Sequence, residues 1–329
     1  MLKVAVVGVG HLGFHHVRKF SQMDNVSLSG VYDADSKRLA SVASELNVHA
    51  FDSFEELLES SDAVDIVTTT SSHYLLAKQA LFAGKHVFIE KPITSEMAQA
   101  QELLTIAKEK KLKIQVGHIE RFNPVILAVE KDIRDPMFIE SHRLSTYQPR
   151  GTDVPVVLDL MIHDIDLILD FIKSPVKQIH ASGIGIITPS IDIANARIEF
   201  DNGAIANVTS SRVSMKQERK IRFFQRNAYL SLDFVEQKAT VIKRAKHAFK
   251  YIPRIIAKDP SLKPEQLVDI QELDLSNPSK DALSMELESF VDAIIHDKQP
   301  IVDGVAGTRA LEVAFKILEI IKSQPKTHI

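Results

Sequence analysis

The sequence predicts an α/β protein with two domains: an N-terminal doubly wound parallel sheet and a C-terminal α+β domain with a mostly antiparallel sheet. Three observations support this fold class. Short apolar runs alternate with helix-like segments over residues 1–121. A glycine-rich turn follows the first apolar run. Over residues 122–329, several extended segments follow one another with no helix between them.

The N-terminal segment has the strand–helix order of repeated βαβ units. Strands of a parallel sheet are covered on both faces, so they are expected as short, continuous apolar runs. We predict such strands over residues 3–7, 26–32, 63–68, 86–90 and 113–117. Helices are predicted over residues 12–20, 36–46, 54–59, 73–83 and 95–109. Gly84 gives the fourth of these helices a typical C-terminal stop.

The C-terminal segment has a different order of elements. Strands are predicted over residues 137–147, 177–187, 192–200, 204–214, 220–224, 229–234 and 239–243. Helices are predicted over residues 124–132, 156–171, 281–296 and 304–322. Asp201-Asn202-Gly203 is a hairpin turn signal between two of the strands. Residues 244–280 have the weakest pattern and are expected to form a long loop or flap.

The bulk composition is that of an ordinary globular protein. A length of 329 residues predicts two domains rather than one. The net charge of -3 gives no strong field for nucleic acid, and no stretch approaches the ~20 apolar residues of a spanning helix. Without cysteine, the chain has no disulfide, thiolate nucleophile or Cys-ligated metal. The N-terminal run indicates a strand rather than a signal peptide, so a cytoplasmic protein is expected.

The glycine-rich turn has the spacing of a dinucleotide-binding fingerprint. Gly8, Gly10 and Gly13 follow a predicted strand and open a predicted helix. Glycines there allow a tight turn and a close approach of the backbone, while the helix N-terminus faces a pyrophosphate. A glycine turn that binds nothing is the alternative. The spacing therefore predicts a Rossmann domain with a bound dinucleotide.

Asp33 ends the second predicted strand, where a carboxylate can accept hydrogen bonds from the adenosine ribose. The same carboxylate would repel a 2′-phosphate, so NAD is favoured over NADP. Lys37 and Arg38 stand close by and keep NADP possible.

Two further segments are candidates for cofactor contact. His11 and Leu12 stand at the start of the first helix, next to the glycine turn. Thr69, Thr70 and His73 follow the third strand and lead into a helix. Hydroxyls and backbone amides of that segment could meet the nicotinamide ribose, or they could cap the helix.

Glu90-Lys91-Pro92 ends the fourth predicted strand. The carboxyl ends of parallel strands border the ligand crevice in open α/β sheets. We therefore expect Glu90 and Pro92 beside the cofactor and Lys91 beside both cofactor and substrate. A lysine there can bind a substrate hydroxyl and stabilise its oxygen as charge develops. A solvated lysine at a strand end is the alternative.

Asp159 and His163 are four residues apart in an otherwise apolar helix. Their side chains are expected on the same helix face. A carboxylate beside an imidazole is a common arrangement for general acid/base catalysis near neutral pH. The alternatives are a buried histidine satisfied by a neighbouring acid, or a metal site that includes Asp164 and Asp166.

Two other clusters are expected to have no separate function. The basic stretch 243–258 contains aromatic residues, which could indicate RNA binding, but the rest of the chain is not basic. A solvated flap near an anionic substrate is expected instead. A histidine trio in the first helix resembles a metal site, although cofactor contact or a surface position fits better: His11, His15 and His16. No metal is predicted.

These motifs, in this order, resemble the Gfo/Idh/MocA family. The resemblance covers the glycine turn, the run 84–92 and the later Asp-x-x-x-His helix. It implies a Rossmann domain followed by a domain with an open-faced sheet, which often forms the interface of homodimers or homotetramers. It assigns the family's catalytic residues to Lys91, Asp159 and His163. It also implies a cis peptide bond before Pro92.

A narrower resemblance points to the branch that oxidises UDP-N-acetylglucosamine at its 3-hydroxyl. It rests on residues 116–124, 149–154 and 159–166. One departure is the sequence of residues 155–158, where many relatives have a glycine-rich turn, and this affects the expected shape of the pocket. Candidate substrate contacts are the polar residues Arg121, Asn123, Arg143, Tyr147 and Arg150.

The expected reaction is hydride transfer from a sugar carbon to nicotinamide, with a sugar or UDP-sugar as substrate. His163 would remove the hydroxyl proton, Lys91 would bind the same oxygen, and Asp159 would orient the pair. One alternative is a polyol or inositol dehydrogenase of the same family. Others are a non-catalytic NAD-binding regulator and a reductase of a non-sugar. The intact Lys–Asp–His set argues against these last two.

Overall fold

The computed structural model describes residues 1–147 and 154–324. These residues form two compact units, each with a sheet of its own. The first unit contains Met1–Phe122 and Lys280–Glu312. The second contains Asn123–Ser279 and the chain from Val313.

Five parallel strands form the sheet of the first unit. They are β1 (Leu2–Val7), β2 (Val26–Tyr32), β3 (Ala63–Ile66), β4 (His86–Glu90) and β5 (Ile114–Gly117), in the order β2-β1-β3-β4-β5. The helices between them are α1 (His11–Phe20), α2 (Ser36–Leu46), α3 (Phe54–Glu59), α4 (Thr70–Phe82) and α5 (Met97–Lys110). The strand order reverses between β1 and β3, and the crevice at the carboxyl ends of these two strands is the ligand-binding position of a doubly wound fold.

The apolar strands of this unit are buried because helices cover both faces of the sheet. All four residues of β3 and the last four residues of β1 are buried. Side chains at the helix ends supply hydrogen bonds that the backbone lacks there. The Asp35 side chain accepts from the amides of Lys37 and Arg38, and the Ser53 hydroxyl accepts from the amide of Glu56. The predicted parallel sheet is confirmed.

The second unit is built on eight strands. In chain order, its first elements are α6 (Pro124–Val129), β6 (Phe138–Leu144), a π-helical turn (Val157–Met161), α7 (Ile162–Phe171), β7 (Val176–Ile184), β8 (Ile193–Phe200) and β9 (Ile205–Ser211). They are followed by β10 (Glu218–Gln225), β11 (Ala228–Asp233), β12 (Lys238–Arg244), α8 (Ile252–Ile256) and β13 (Val268–Asp274). The order is β13-β12-β11-β10-β6-β9-β8-β7, and β6 and β9 pair in parallel while the other neighbours pair antiparallel. The predicted antiparallel character is confirmed.

Three details of the second unit bear on the sequence prediction. The hairpin between β8 and β9 is confirmed, with Gly203 at a φ of 84°. The helix predicted over residues 156–171 begins instead as the π-helical turn. The expectation of a loop over residues 244–280 is wrong in part, because β13 pairs with β12 along its whole length. This strand is at the edge of the sheet and mostly exposed, so it lacks the apolar pattern of a buried strand.

The chain returns to the first unit with α9 (Ala282–Ile295) and the start of α10 (Gly304–Ser323). Leu287, Phe290 and Val291 of α9 are fully buried and join the core formed by β1, β3, β4 and α1. Residues 280–312 therefore belong to the first unit, which was predicted from the sequence to contain residues 1–121 alone. The physical reason is that the apolar face of α9 packs against α1.

Candidate active site

The glycine turn between β1 and α1 has three glycines in three different settings. Gly8 has a φ of 88°, and a side chain there would lie 2.6 Å from the carbonyl oxygen of Val67. Gly13 packs so closely on the turn that a Cβ would lie 1.9 Å from the carbonyl oxygen of Gly8. Among the described residues, no atom lies within 4 Å of a Cβ built on Gly10. These settings match a tight turn, close helix packing and an open approach for a ligand.

A cavity of about 690 Å³ opens in front of this turn. Its lining comes from the carboxyl ends of β1, β2 and β3 and from the starts of α1 and α4: Val7, Gly8, Gly10, His11, Leu12, Tyr32, Asp33, Ala34, Arg38, Val67, Thr68, Thr69, Ser71, Ser72, Leu75, Leu76 and Gln79. Six residues predicted to contact the cofactor are among them, namely Gly8, Gly10, His11, Leu12, Asp33 and Thr69, together with Arg38, which the sequence places close to Asp33. Thr70, the first residue of α4, is outside the set of described residues that line the cavity.

Asp33 is held in place by the backbone around it. One carboxylate oxygen accepts from the amide of Val9 at 2.8 Å, and the other accepts from the amide of Asp35 at 2.8 Å. The guanidinium of Arg38 lies 3.5 Å from the first oxygen and is about half exposed. The carboxylate thus joins the glycine turn to the end of β2, and a positive group stands beside it on the cavity wall.

The Glu90-Lys91-Pro92 segment leaves the carboxyl end of β4. The Lys91-Pro92 peptide bond is cis, as the resemblance implied. His73 is 1% exposed, and its ring nitrogens lie 2.9 Å from the carbonyl oxygen of Pro92 and 3.1 Å from that of Thr68. Burial lowers the pKa of His73, although the two carbonyl oxygens act in the opposite direction. This position does not support a direct contact between His73 and a cofactor, because its nitrogens face carbonyl groups of the protein.

A buried group of ionisable side chains lies beneath this segment. His16 of α1 is fully buried, with Nδ1 2.8 Å from Oδ2 of Asp65 and Nε2 3.5 Å from Oε1 of Glu90. Burial by itself lowers the pKa of His16, but the two carboxylates more than offset this and raise it to about 10. Burial raises the pKa of Asp65, whereas His16 and Lys91 hold the pKa of Glu90 below its usual value despite burial.

Asp159 and His163 lie in the second unit, where the helix starts irregularly. Asp159 is in the π-helical turn and His163 is in the first turn of α7. A π-helical turn inside a helix often marks a functional site, because it changes the direction of the side chains it contains. The side chain of Asp159 is about a third exposed. Both residues therefore occupy a helix start with an unusual backbone, while their predicted convergence with Lys91 stays a prediction.

Arg212 is a partner of Asp159 that the sequence analysis missed. Its guanidinium is almost fully buried, donates to the carbonyl oxygen of Val154 and lies 3.9 Å from Oδ2 of Asp159. The residue follows the end of β9, 53 positions from Asp159 (212 − 159). Sequence spacing alone gives no signal for such a pair. A signal did exist for the buried group in the first unit, because Asp65 is a lone acid within an apolar strand.

The predicted substrate contacts have several different settings. The guanidinium of Arg143 is buried and donates two hydrogen bonds of 2.9 Å to Asp164, which gives it a structural role. The side chain of Asn123 accepts from the amide of Val125 and caps α6. Arg121 is 9% exposed and Tyr147 is 41% exposed, and Arg150 lies outside the described residues. Substrate contact stays a prediction for all five.

Two other kinds of site are absent over residues 1–147 and 154–324. No group of three His, Asp or Glu side chains there is arranged to hold a metal ion. No helix in the described part of the chain combines the length and the apolar character that crossing a membrane requires.

Two family models match the chain. One, described as an oxidoreductase family with an NAD-binding Rossmann fold, matches residues 2–118, and the GFO/IDH/MocA C-terminal domain matches residues 128–230. UDP-N-acetylglucosamine 3-dehydrogenase of Acidithiobacillus ferrooxidans is 35% identical over 317 residues, which is 96% of each chain. The NAD(+)-dependent scyllo-inositol 2-dehydrogenase of Bacillus subtilis is 25% identical and covers 95% of this chain and 92% of its own. The solved structure of the Acidithiobacillus ferrooxidans enzyme matches with a TM-score of 0.87 at 34% identity, covering 98% of both chains.

Proposed function

The chain belongs to the Gfo/Idh/MocA family of oxidoreductases with an NAD-binding Rossmann fold, and on this premise we propose that it oxidises a UDP-N-acetylglucosamine-like nucleotide sugar at a secondary hydroxyl. The family resemblance expected from the motifs is confirmed, and with it the class of NAD-dependent dehydrogenase. The observation that carries the substrate is the 35% identity to UDP-N-acetylglucosamine 3-dehydrogenase over 96% of the chain. The 3-hydroxyl is therefore the proposed position of oxidation.

The cavity at the glycine turn fits NAD. The open space at Gly10 leaves room for a pyrophosphate, and the start of α1 offers backbone amides to it. Asp33 lies on the cavity wall, where its carboxylate would accept hydrogen bonds from ribose hydroxyls. Arg38 on the same wall could bind a 2′-phosphate, so NADP is the cofactor to test beside NAD.

We assign the chemistry to Lys91, Asp159 and His163. Bound NAD would supply the hydride acceptor. His163 would take the proton from the sugar hydroxyl as a general base, which is typically worth about 10²–10⁴-fold in rate. Lys91 would donate a hydrogen bond to the same oxygen and stabilise its developing charge. Asp159 would orient this pair, and Arg212 would hold Asp159 in turn.

The test is formation of reduced nicotinamide with a panel of UDP-sugars and free polyols, with NAD and NADP side by side. Because oxidation of a secondary alcohol by NAD is unfavourable, the ketone product should be removed by a trapping amine. We expect turnover with UDP-N-acetylglucosamine and preference for NAD. Formation of reduced nicotinamide with inositols but not with UDP-sugars would contradict the proposed substrate. It would favour a polyol dehydrogenase, which is the second candidate because of the relative in Bacillus subtilis.

The roles of the residues are tested separately. His163→Ala should lower kcat by about 10²–10⁴-fold with unchanged affinity for NAD, and Lys91→Ala should be at least as damaging. His296→Ala is the matched control, because this exposed histidine follows the end of α9 and pairs with Asp292. Full activity of His163→Ala would contradict the assignment of the general base.

We further propose a cytoplasmic homodimer or homotetramer that associates through the eight-stranded sheet. Support comes from the alternating burial of β6, β8 and β9, which leaves a second, partly exposed face along the sheet. Light scattering after size exclusion would give the mass of the assembly. A monomer at micromolar concentration would contradict this proposal.

A further inference from the structure

Four ionisable groups of alternating charge form a row from the core of the first unit to the proposed active site. Asp65 of β3 is followed by His16 of α1, then Glu90 at the end of β4, then Lys91. The first contact is a hydrogen bond of 2.8 Å, and the second, 3.5 Å, is an electrostatic contact between Nε2 and the carboxylate. Glu90 is the last buried acid before the residue to which we assign oxygen stabilisation.

Glu90 is connected to Lys91 in two ways. Its Oε2 accepts a hydrogen bond of 3.1 Å from the backbone amide of Lys91. Its charge also interacts with the Lys91 ammonium. Gly117 at the end of β5 makes this possible, because a Cβ there would lie 2.8 Å from the Glu90 carboxyl carbon. The carboxylate is thus folded back against its own strand end instead of pointing into solvent.

We propose that His16 is a positioning residue for the dehydrogenase reaction, and that it acts through Glu90, whose carboxylate holds the backbone amide of Lys91. This inference rests on the proposed function, because it needs Lys91 to act on the substrate oxygen. The role goes beyond the Lys–Asp–His set, and it assigns a task to a helix residue of the glycine motif.

The contact between His16 and Glu90 depends on the positive charge of His16. With its pKa raised to about 10, His16 is an imidazolium at neutral pH and faces two carboxylates. A neutral side chain in its place would leave Glu90 in a buried position with less compensation for its charge. Its pKa would then rise, and a protonated carboxyl group is a weaker acceptor for an amide.

Other groups around this row are accounted for. Asp65 and Glu90 are the charged groups that act on His16, from β3 and β4. Lys91 and His73 of α4 face Glu90 from its other sides. The ring of Phe88 packs edge-on against the imidazole at 5.8 Å and contributes no charge.

Two variants separate a structural role of His16 from a positioning role. The amide nitrogen of asparagine can occupy the place of Nδ1, so His16→Asn keeps a donor for Asp65 and loses the contact with Glu90. The longer glutamine reaches the place of Nε2, so His16→Gln keeps a donor for Glu90 and loses the contact with Asp65. If Glu90 transmits the effect, His16→Asn should lower kcat more than His16→Gln, although it retains the shorter of the two contacts.

For His16→Asn we expect kcat to fall by about tenfold, with KM for NAD within about twofold and the acid limb of the kcat profile moved to higher pH. The double variant His16→Asn/Glu90→Gln should be no worse than Glu90→Gln alone, because two residues acting through one contact are not additive. A folded His16→Asn protein with the kcat and pH profile of the original chain would overturn the inference. Additive losses in the double variant would also overturn it.

A measurement without turnover separates this inference from the proposed function. Hydrogen exchange of the Lys91 amide should accelerate in His16→Asn and in Glu90→Gln, and much less in His16→Gln. Unchanged exchange in His16→Asn refutes the inference whatever the substrate panel shows. Accelerated exchange in His16→Asn, together with an original chain that oxidises no sugar, would support the row of contacts while the proposed function fails. Nitrogen-15 spectra of histidine should show both His16 nitrogens protonated from about pH 6 to 9, and a neutral ring would refute it as well.

Discussion

Replacing Gly13 with alanine should damage the fold of the glycine turn, whereas Gly10→Ala should damage cofactor binding alone. A Cβ on Gly13 would lie 1.9 Å from the carbonyl oxygen of Gly8 and 2.9 Å from its carbonyl carbon, so backbone must move. Overpacking of this kind costs roughly 1–3 kcal/mol, and a backbone obstacle favours the upper end. Alanine in a helix returns about 1 kcal/mol. We therefore expect a net loss of about 2 kcal/mol, or about 3 °C in Tm for a chain of 329 residues, since the entropy of unfolding is about 2.1 cal/mol/K per residue.

Gly10 is the matched control for this substitution. Its φ is -65°, which alanine adopts without strain, and no described atom lies within 4 Å of the added Cβ. The unfolding free energy should change by less than about 1 kcal/mol. The methyl group would nevertheless occupy the open approach to the cavity. We expect NAD affinity to fall by about tenfold or more, which corresponds to about 1.4 kcal/mol.

Thermal unfolding without ligand and calorimetric titration with NAD measure the two effects separately. Gly10→Ala should not lose as much stability as Gly13→Ala, and its affinity for NAD should not be unchanged. The opposite result in either measurement would mean that the spacing of the glycines does not reflect a ligand. A Gly13→Ala protein as stable as the original chain would show that the turn can shift without cost.

Three further predictions concern the second unit. Asp192 accepts from three backbone amides and the Thr188 hydroxyl; burial alone would raise its pKa, but these bonds lower it to about 2. The contribution of this carboxylate to the free energy of unfolding is therefore present above about pH 4 and lost as the pH falls through about 2. Asp192→Asn should cost about 1–3 kcal/mol at pH 7 and less near pH 2, as measured by denaturant titrations at both pH values. Arg143→Met leaves the charge of Asp164 buried without a compensating partner and should cost about 3–5 kcal/mol in urea unfolding. The double variant Arg143→Met/Asp164→Leu should recover part of this stability. Turnover by a stable double variant would argue against substrate contact by Arg143. Arg212→Met should lower kcat by about tenfold with unchanged NAD affinity, with partial recovery in Arg212→Lys, and an unaffected kcat would remove Arg212 from the proposed site.

The sequence was most informative where local rules decide the structure. Strands covered on both faces must be apolar along their length, so β1, β3 and β4 could be predicted within a few residues. The glycine turn and the β8–β9 hairpin could be predicted because they need backbone conformations that favour glycine. The catalytic candidates came from residue types at short spacings and from the family motifs, and their roles stay predictions.

The sequence was least informative where a pattern is weak or a contact is distant. The exposed edge strand β13 has one partner and few buried side chains, so it reads as a loop. The π-helical turn differs from an α-helix by one residue, which does not change the apolar pattern enough to be seen. The packing of α9 on α1 joins residues that are far apart in the chain.

The sequence by itself determined the fold class, the cofactor-binding turn and the family, because these depend on residue types at short, regular spacings. Only the tertiary structure decided which charged side chains meet. The pairs His16–Asp65, Arg143–Asp164 and Arg212–Asp159 join residues from different strands and helices. A buried charge is stable only beside its partner, and where that partner lies is set by how the elements pack, not by the number of residues between them.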